Sequence, residues 1–366
     1  MNPVLMAPRP VEAAQADADN LSALAVWALL EEAELTPKPA LADRRGSGAH
    51  HDLDLARLRR SAESLRDGFA AVARAAAGQQ PSLRLREQLG RIGREMEARM
   101  LEATGASNAH RGAIWALGLL IAAAAQRTTR AATQAPNASE GTIRRWPHAA
   151  AGAEKSQGPT GYLSWPPTVP AVRDGRSPRL RSGLVSVVPA PGDHAADTAA
   201  LAAALARLPE RFARCRPSNG QRACLRYGAA GARGEAQAAF PHATLVGLPA
   251  LRAARGRGIP EERARLDALM AIMAGLDDTC LLHRGGRPGL QAAKTGARAV
   301  LAAGGTATPA GMDRLHRLHD DLMARWASPG GSADLLAVTL FLDRLEDAFG
   351  RRHNAGASHG NVELRI

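Results

Sequence analysis

Apolar residues three and four positions apart recur along most of this chain. Leu85, Leu89, Ile92, Met96 and Met100 form one such run; Leu266, Leu269, Met270, Met273 and Leu276 form another. That spacing gathers each set on one face of an α-helix and does not suit a strand, whose faces alternate every second residue. Similar helical patterning is read over Leu21–Leu35, from Asp52 to about Ala77, and over Ser82–Thr104, Ala113–Ala125, Asp193–Cys215, Gly289–Ala303, Met312–Trp326 and Leu335–Phe349. Ala and Leu dominate and aromatic residues make up only 3%, which suits helices packed closely through small side chains. The expectation is an all-α protein, a single multi-helix globular domain.

One stretch breaks the pattern. Residues 127–192 are rich in Pro, Gly, Ser, Thr and Arg and show no period of two or 3.6. A loop that long is uncommon inside a compact domain, so it reads as a poorly ordered insertion. The helical domain is thus expected in two parts, residues 1–126 and 193–350, with a flexible tail over 351–366. The N-terminus lacks a basic segment followed by an apolar core, and the longest apolar run, around Ala113 to Ala125, is too short to span a bilayer. A cytoplasmic protein without a membrane partner is expected. Cys215, Cys224 and Cys280 have no zinc-like spacing, and no Walker loop, dinucleotide fingerprint or nucleophile elbow is present.

The net charge of +12 suits a polyanionic partner, although a high arginine content alone decides little. More telling are polar clusters at the ends of the expected helices. The run opened by Pro260 ends at Asp277-Asp278, where a helix C-terminus disfavours acids. Either a cation offsets them, whether a metal ion or His283 and Arg284, or Asp278 simply caps the next turn. Thr36-Pro37-Lys38-Pro39 stops the first helix, expected to be capped by Asn20, and a loop follows with Arg45, His50, His51, Asp52 and Asp54. Asp52 and Asp54 are equally suited to the first turn of the next helix. Asn108-Ala109-His110-Arg111-Gly112 opens the apolar helix and offers N–H groups and an arginine to an anion; the alternative is that Asn108 caps and Arg111 is solvated. Ser328 and Pro329 read as N-cap and first residue of the last helix, and Gly330-Gly331 in that first turn are unfavourable by about 1 kcal/mol each against Ala. Such glycines make sense where backbone lies against a phosphate or another helix. His316, His319, Asp320 and Asp321 read as a solvated face. A nucleotide or other polyphosphate site is the class these residues suggest, without indicating a reaction.

Taken together, the clusters Glu34-Leu35-Thr36-Pro37-Lys38-Pro39, Asp43-Arg44-Arg45-Gly46-Ser47-Gly48-Ala49-His50, Asn108-Ala109-His110-Arg111-Gly112-Ala113, Gly231-Ala232-Arg233-Gly234-Glu235-Ala236, Asp277-Asp278-Thr279, His283-Arg284-Gly285-Gly286 and Ser328-Pro329-Gly330-Gly331-Ser332-Ala333-Asp334 resemble, in order, the motifs of the triphosphoribosyl-dephospho-CoA synthases. The last cluster is more similar to the malonate decarboxylase branch than to the citrate lyase branch. The resemblance covers roughly residues 20–126 and 193–350. It implies a transferase that joins ATP and 3′-dephospho-CoA into 2′-(5″-triphosphoribosyl)-3′-dephospho-CoA and releases adenine. The product is the precursor of the prosthetic group on the malonate decarboxylase acyl-carrier subunit.

On that resemblance, Asp277 and Asp278, with Asp52 and Asp54, are expected to hold Mg²⁺ on the triphosphate. Lys38, Arg45, His50, Asn108, Arg111, Arg233, Arg284, Ser328, Gly330, Gly331 and Asp334 are expected to bind substrate and phosphates. His110, His283 and Glu235 are the candidates for base or acid. The chain departs from the family pattern at Cys280 (Asn expected), Ala109 (Thr), Asn219 (His) and Ala239 (Gly). The competing readings are a magnesium-dependent helical hydrolase of ADP-ribose-type linkages and a basic nucleotide- or nucleic-acid-binding module. Scarce aromatics speak against nucleic acid as a partner.

Overall fold

The computed structural model describes residues 10–134, 193–210 and 217–357. Among them there is no strand beyond an isolated bridge between Asp43 and Gly46, and the all-α expectation holds. The helices are α1 (Pro10–Glu34), α2 (Leu55–Ser64), α3 (Arg66–Ala76), α4 (Leu83–Thr104), α5 (Arg111–Gln134), α6 (His194–Arg207), α7 (Asn219–Tyr227), α8 (Gly231–Gln237), α9 (Leu248–Gly256), α10 (Glu261–Gly275), α11 (Thr279–Ala302), α12 (Pro309–Ala324) and α13 (Gly330–Ala357). A π-helical turn, His242–Gly247, leads into α9. The stretch read as an insertion begins inside α5, which runs on to Gln134; residues 135–192 lie outside the described residues.

Three helices carry the core. Helix α5 buries Leu117, Leu120 and Ile121 together with Ala122 through Ala125, and α13 buries Leu335 through Leu342. Helix α10 was expected to be one-faced, yet every residue from Leu266 to Met273 is buried. A helix apolar all round belongs in the middle of a fold, and α10 packs against α9, α11 and α13 there. Helix α1 lies against α3, α5 and α13, so the N-terminal and C-terminal parts share one core.

Local signals placed many of the ends. Ser82 accepts from Leu85 N–H at 3.2 Å, Thr308 from Gly311 N–H at 3.0 Å with Pro309 behind it, and Gly105 closes α4 at φ 67°. Several expectations are corrected. The helix read over Asp193–Cys215 ends at Arg207, and residues 211–216 lie outside the described residues. The helix read from Gly289 begins at Thr279. Asn20 caps nothing, because the Ala-rich residues before it continue α1 back to Pro10. The helix expected from Asp52 to Ala77 is two, broken at Leu65. Helix α13 runs on to Ala357, into the stretch read as a tail.

A candidate active site where three helices begin

Asp278 sits at the start of α11 and caps it, its Oδ1 accepting from Cys280 N–H at 2.8 Å. It also caps α13. Its Oδ2 accepts the Ser332 N–H at 2.8 Å and the Ser332 hydroxyl at 2.9 Å, and Oδ1 accepts the Gly331 N–H at 3.3 Å. The cap of the last helix therefore comes from α11 and not from Ser328. This also explains the two glycines. A Cβ at Gly331 would lie 2.9 Å from Asp278 Oδ1, and one at Gly330 would lie 3.1 Å from the Cys280 sulfur. The close approach is to another helix, and the Gly331 N–H is already used.

A third helix start joins them. Asp334, the fifth residue of α13, faces the Ala113 N–H of α5, and a Cβ at Gly112 would run into Asp334 Oδ2. The starts of α5, α11 and α13 thus meet at two carboxylates, where their dipoles favour negative charge. Burial pushes the Asp334 carboxyl well above its ordinary range, and Glu32 and Asp278 push it further. Burial likewise raises Asp278, against the hydrogen bonds from Ser332, Cys280 and Leu281. The thiol of Cys280, between these two acids, is held protonated by burial and by their charges.

Lys38 is the buried cation of this region. It is 1% exposed, and its Nζ meets Glu32 Oε1 at 2.6 Å and the Glu32 carbonyl at 2.7 Å. Its N–H donates to Asp43 Oδ2 at 2.8 Å, while Arg45 binds Asp43 and the Lys38 carbonyl, so Arg45 builds this loop. His50 Nε2 lies 2.8 Å from the Ser328 hydroxyl, and Arg284 reaches His50 Nδ1 at 3.0 Å and the Ala49 carbonyl at 2.7 Å. Burial, with Arg284 next, lowers His50 to about 4, so it is neutral at physiological pH. Arg284 stays exposed, and Gly286, at φ 61°, breaks α11 just beyond it.

Among the other expected site residues, His110 is buried at the start of α5, with Nδ1 2.7 Å from the Ser61 hydroxyl and, among the described residues, no partner for Nε2. Burial, with Lys38 next, lowers it to about 3. Glu235, on α8, lies 2.7 Å from His242 Nδ1, and the other side of that imidazole faces Gly275, just ahead of Asp277-Asp278. His283 is exposed on α11; burial of its ring, then Arg222 and Arg284, lowers it. These three candidates for base or acid stand on different elements. Asn108 accepts the Arg111 N–H at 3.2 Å, Arg111 pairs with Glu97, and Arg233 is exposed on α8. His319, read as solvated, accepts the Ala40 N–H at 3.2 Å.

The four aspartates read as metal ligands do not assemble. Asp277 is exposed and pairs with Lys294 at 2.5 Å, Asp54 caps α2 and binds Arg57, and Asp52 is exposed 3.9 Å from His50. Among the described residues no three His, Cys, Asp or Glu come together as a metal cage. Mg²⁺, however, is commonly held by one or two carboxylates plus substrate phosphates. Asp334, raised first by burial and then by the charges of Glu32 and Asp278, is a carboxylate whose ionised form a cation would favour, whereas both oxygens of Asp278 already accept hydrogen bonds.

Sequence reasoning missed Glu32, Ser332 and His242. Glu32 had a signal: Glu31, Glu32 and Glu34 crowd the last turn of α1 with no basic residue there, the same anomaly that marked Asp277-Asp278. Ser332 stands inside the Ser328–Asp334 cluster with no role read for it, and His242 carried no local sign.

Comparison with known proteins bears on this arrangement. The model of the ATP:dephospho-CoA triphosphoribosyl transferase family matches residues 18–159 and 192–353, breaking off inside the stretch read as an insertion. The chain is 45% identical over 334 residues, 91% of its length and 94% of the relative's, to a probable 2-(5″-triphosphoribosyl)-3′-dephosphocoenzyme-A synthase of Azotobacter vinelandii. It is 46% identical to a protein of the same description from Stutzerimonas stutzeri, covering 90% of this chain and 93% of that one. To the 2-(5″-triphosphoribosyl)-3′-dephosphocoenzyme-A synthase of Klebsiella pneumoniae it is 45% identical, covering 87% and 91%. No solved structure matches. No helix among the described residues is long and apolar enough to cross a membrane. With both halves of its described fold inside the match, the chain belongs to the ATP:dephospho-CoA triphosphoribosyl transferase family.

Proposed function

We propose that this protein joins ATP and 3′-dephospho-CoA to give 2′-(5″-triphosphoribosyl)-3′-dephospho-CoA and adenine, in the cytoplasm. The product would supply the prosthetic group of a malonate decarboxylase acyl-carrier subunit. The observation that carries the reading is the meeting of three helix starts at Asp278 and Asp334, with Arg284 also acting on Cys280 between their charges and Lys38 paired to Glu32, which acts on Asp334.

The ribose 2′-hydroxyl of dephospho-CoA attacks C1 of the ATP ribose as the bond from C1 to adenine breaks. Adenine leaves with the electron pair and gains a proton; the hydroxyl loses one. By analogy with glycoside hydrolysis the transition state is oxocarbenium-like. The triphosphate suits the rim where Arg284, His283 and Arg222 lie near one another. Asp334 would hold Mg²⁺, which when bound neutralises phosphate charge. Glu235 orients the His242 imidazole across 2.7 Å, and His242 takes the hydroxyl proton. Neutral His50, fixed between Ser328 and Arg284, keeps the loop carrying Lys38 against α11.

The test is adenine release, followed chromatographically with ATP, Mg²⁺ and 3′-dephospho-CoA. Adenine that appears only with dephospho-CoA, together with a heavier CoA adduct, is the expected result. Adenine without dephospho-CoA would indicate a hydrolase. No adenine from the folded protein, with salt-dependent DNA binding, would indicate a binding module.

A further inference from the structure

Helix α12 ends at Ala324, and its last carbonyls are closed by Trp326 N–H to Met323 and Ala327 N–H to Leu322, both 3.0 Å. This turn puts Trp326 in the left-handed region at φ 49°. Glycine is favoured there, because a Cβ crowds the following carbonyl oxygen. The turn thus gives no reason for a tryptophan. Nor does the core, since Trp326 is 47% exposed. Its ring stacks on His51 with centroids 4.2 Å apart and planes at 28°.

The residues on either side lead into the candidate site. Ala327 is buried where Gly285 leaves room, a Cβ at Gly285 lying 2.9 Å from that of Ala327. Ser328 bonds His50, the neighbour of His51, and His50 bonds Arg284. The His51–Trp326 pair therefore stands at the rim of the site, continuous with its basic side.

We infer that Trp326, backed by His51, is a stacking platform for the adenine ring of a nucleotide substrate, an inference that rests on the transferase reading. An aromatic face accepts a purine by stacking, and the guanidinium of Arg284, on His50 next to His51 in the chain, suits the phosphates attached to it. Both substrates of the proposed reaction carry adenine, and the platform takes one of them.

Trp326→Gly is the informative variant because glycine suits the turn, and Trp326→Phe keeps an aromatic face. The full-length chain is titrated calorimetrically with ATP alone and with 3′-dephospho-CoA alone, at fixed salt. Trp326→Gly should melt at or above the wild-type temperature yet lose about tenfold or more in affinity for one nucleotide, most of which Trp326→Phe restores. Loss for ATP places the donor's adenine on the platform; loss for dephospho-CoA places the acceptor's. Unchanged affinity of Trp326→Gly for both nucleotides overturns the platform and leaves the transferase reading intact. A wild-type chain that binds neither nucleotide overturns that reading, and the platform with it.

Discussion

Asp278 and Ser332 are 54 residues apart in sequence, and one carboxylate oxygen of the first accepts both the N–H and the hydroxyl of the second, at 2.8 and 2.9 Å. This pair joins the start of α11 to the start of α13. It gives Asp278 a structural task that any chemical task must share.

Asp278→Asn is therefore expected to damage the fold as well as turnover. An amide turned into this cap points N–H at N–H from Ser332, Cys280 or Gly331. Each buried donor left unpaired costs about 1–3 kcal/mol. Ser332→Ala keeps the backbone donor and should cost about 1 kcal/mol. Urea unfolding of both variants checks this; an Asp278→Asn protein as stable as wild type contradicts it.

Asp334 should behave in the opposite way. Its carboxyl is raised in the folded state by burial, Glu32 and Asp278, so the folded protein holds that proton more tightly than the unfolded chain does. Its contribution to stability is fully present below the unfolded carboxylate range and is lost as pH rises toward the raised value. Asp334→Asn keeps an acceptor for the Ala113 N–H and removes the charge. At pH 7.5 it should be more stable than wild type by on the order of 1 kcal/mol, with little difference at pH 4, and it should lose adenine release. Denaturation midpoints at the two pH values, with an activity assay, provide the check.

His110 and His50 set an acid limit. Both are lowered in the folded state, to about 3 and about 4, chiefly by burial. The stability tied to their neutral forms is complete above about pH 6.5 and declines as pH falls toward those values, by up to about 1.4 kcal/mol per pH unit for each residue. His110→Gln should be less stable at pH 7 and have a shallower pH dependence between 6.5 and 4. Parallel wild-type and variant profiles in that window would remove His110 as a titrating contributor.

What the sequence allowed and what it hid divide along contact distance. The caps at Ser82 and Thr308 take partners three residues away, the kind of contact that composition at a helix end can show. The clusters around Lys38, Asp278 and Ser328 were legible as anomalies, since acids at a helix end and glycines in a first turn oppose local preference. Their partners were not legible. Ser328 was read as a cap when its hydroxyl meets His50, because that contact spans 278 residues. Of the other aspartates read as metal ligands, Asp54 caps α2, Asp52 stays exposed ahead of that helix, and Asp277 pairs with Lys294, 17 residues on. The all-round burial of α10 follows from neighbours that a single helical period does not reveal.

Gln126 offers a test of the core alone. It is fully buried in α5, and among the described residues neither its amide nitrogen nor its oxygen has a partner. An apolar side chain of similar size removes two unsatisfied groups at once, so Gln126→Met should stabilise the protein by about 1–3 kcal/mol. Adenine release should be unchanged. A destabilised variant would show that these atoms are satisfied in solution, as by a buried water.

The pair Glu235 and His242 carries the last prediction. A carboxylate 2.7 Å from Nδ1 fixes the ring and leaves Nε2 toward Gly275, whose missing side chain keeps that nitrogen uncrowded. The turn beyond Gly275 bears Asp277 and Asp278, so this imidazole lies along the α10 approach to the helix starts. If it takes the proton of the attacking hydroxyl, His242→Gln should lower kcat by about 10²–10⁴-fold with KM little changed. Glu235→Gln keeps the contact but not the charge; it should act through the imidazole, with a smaller loss of kcat and KM little changed. A role in packing alone predicts something different: lower melting temperatures for both variants, with normal turnover by the fraction that stays folded. Melting curves and kcat per folded protein on the same preparations separate the two, and normal kcat in a folded His242→Gln protein removes this imidazole from the reaction.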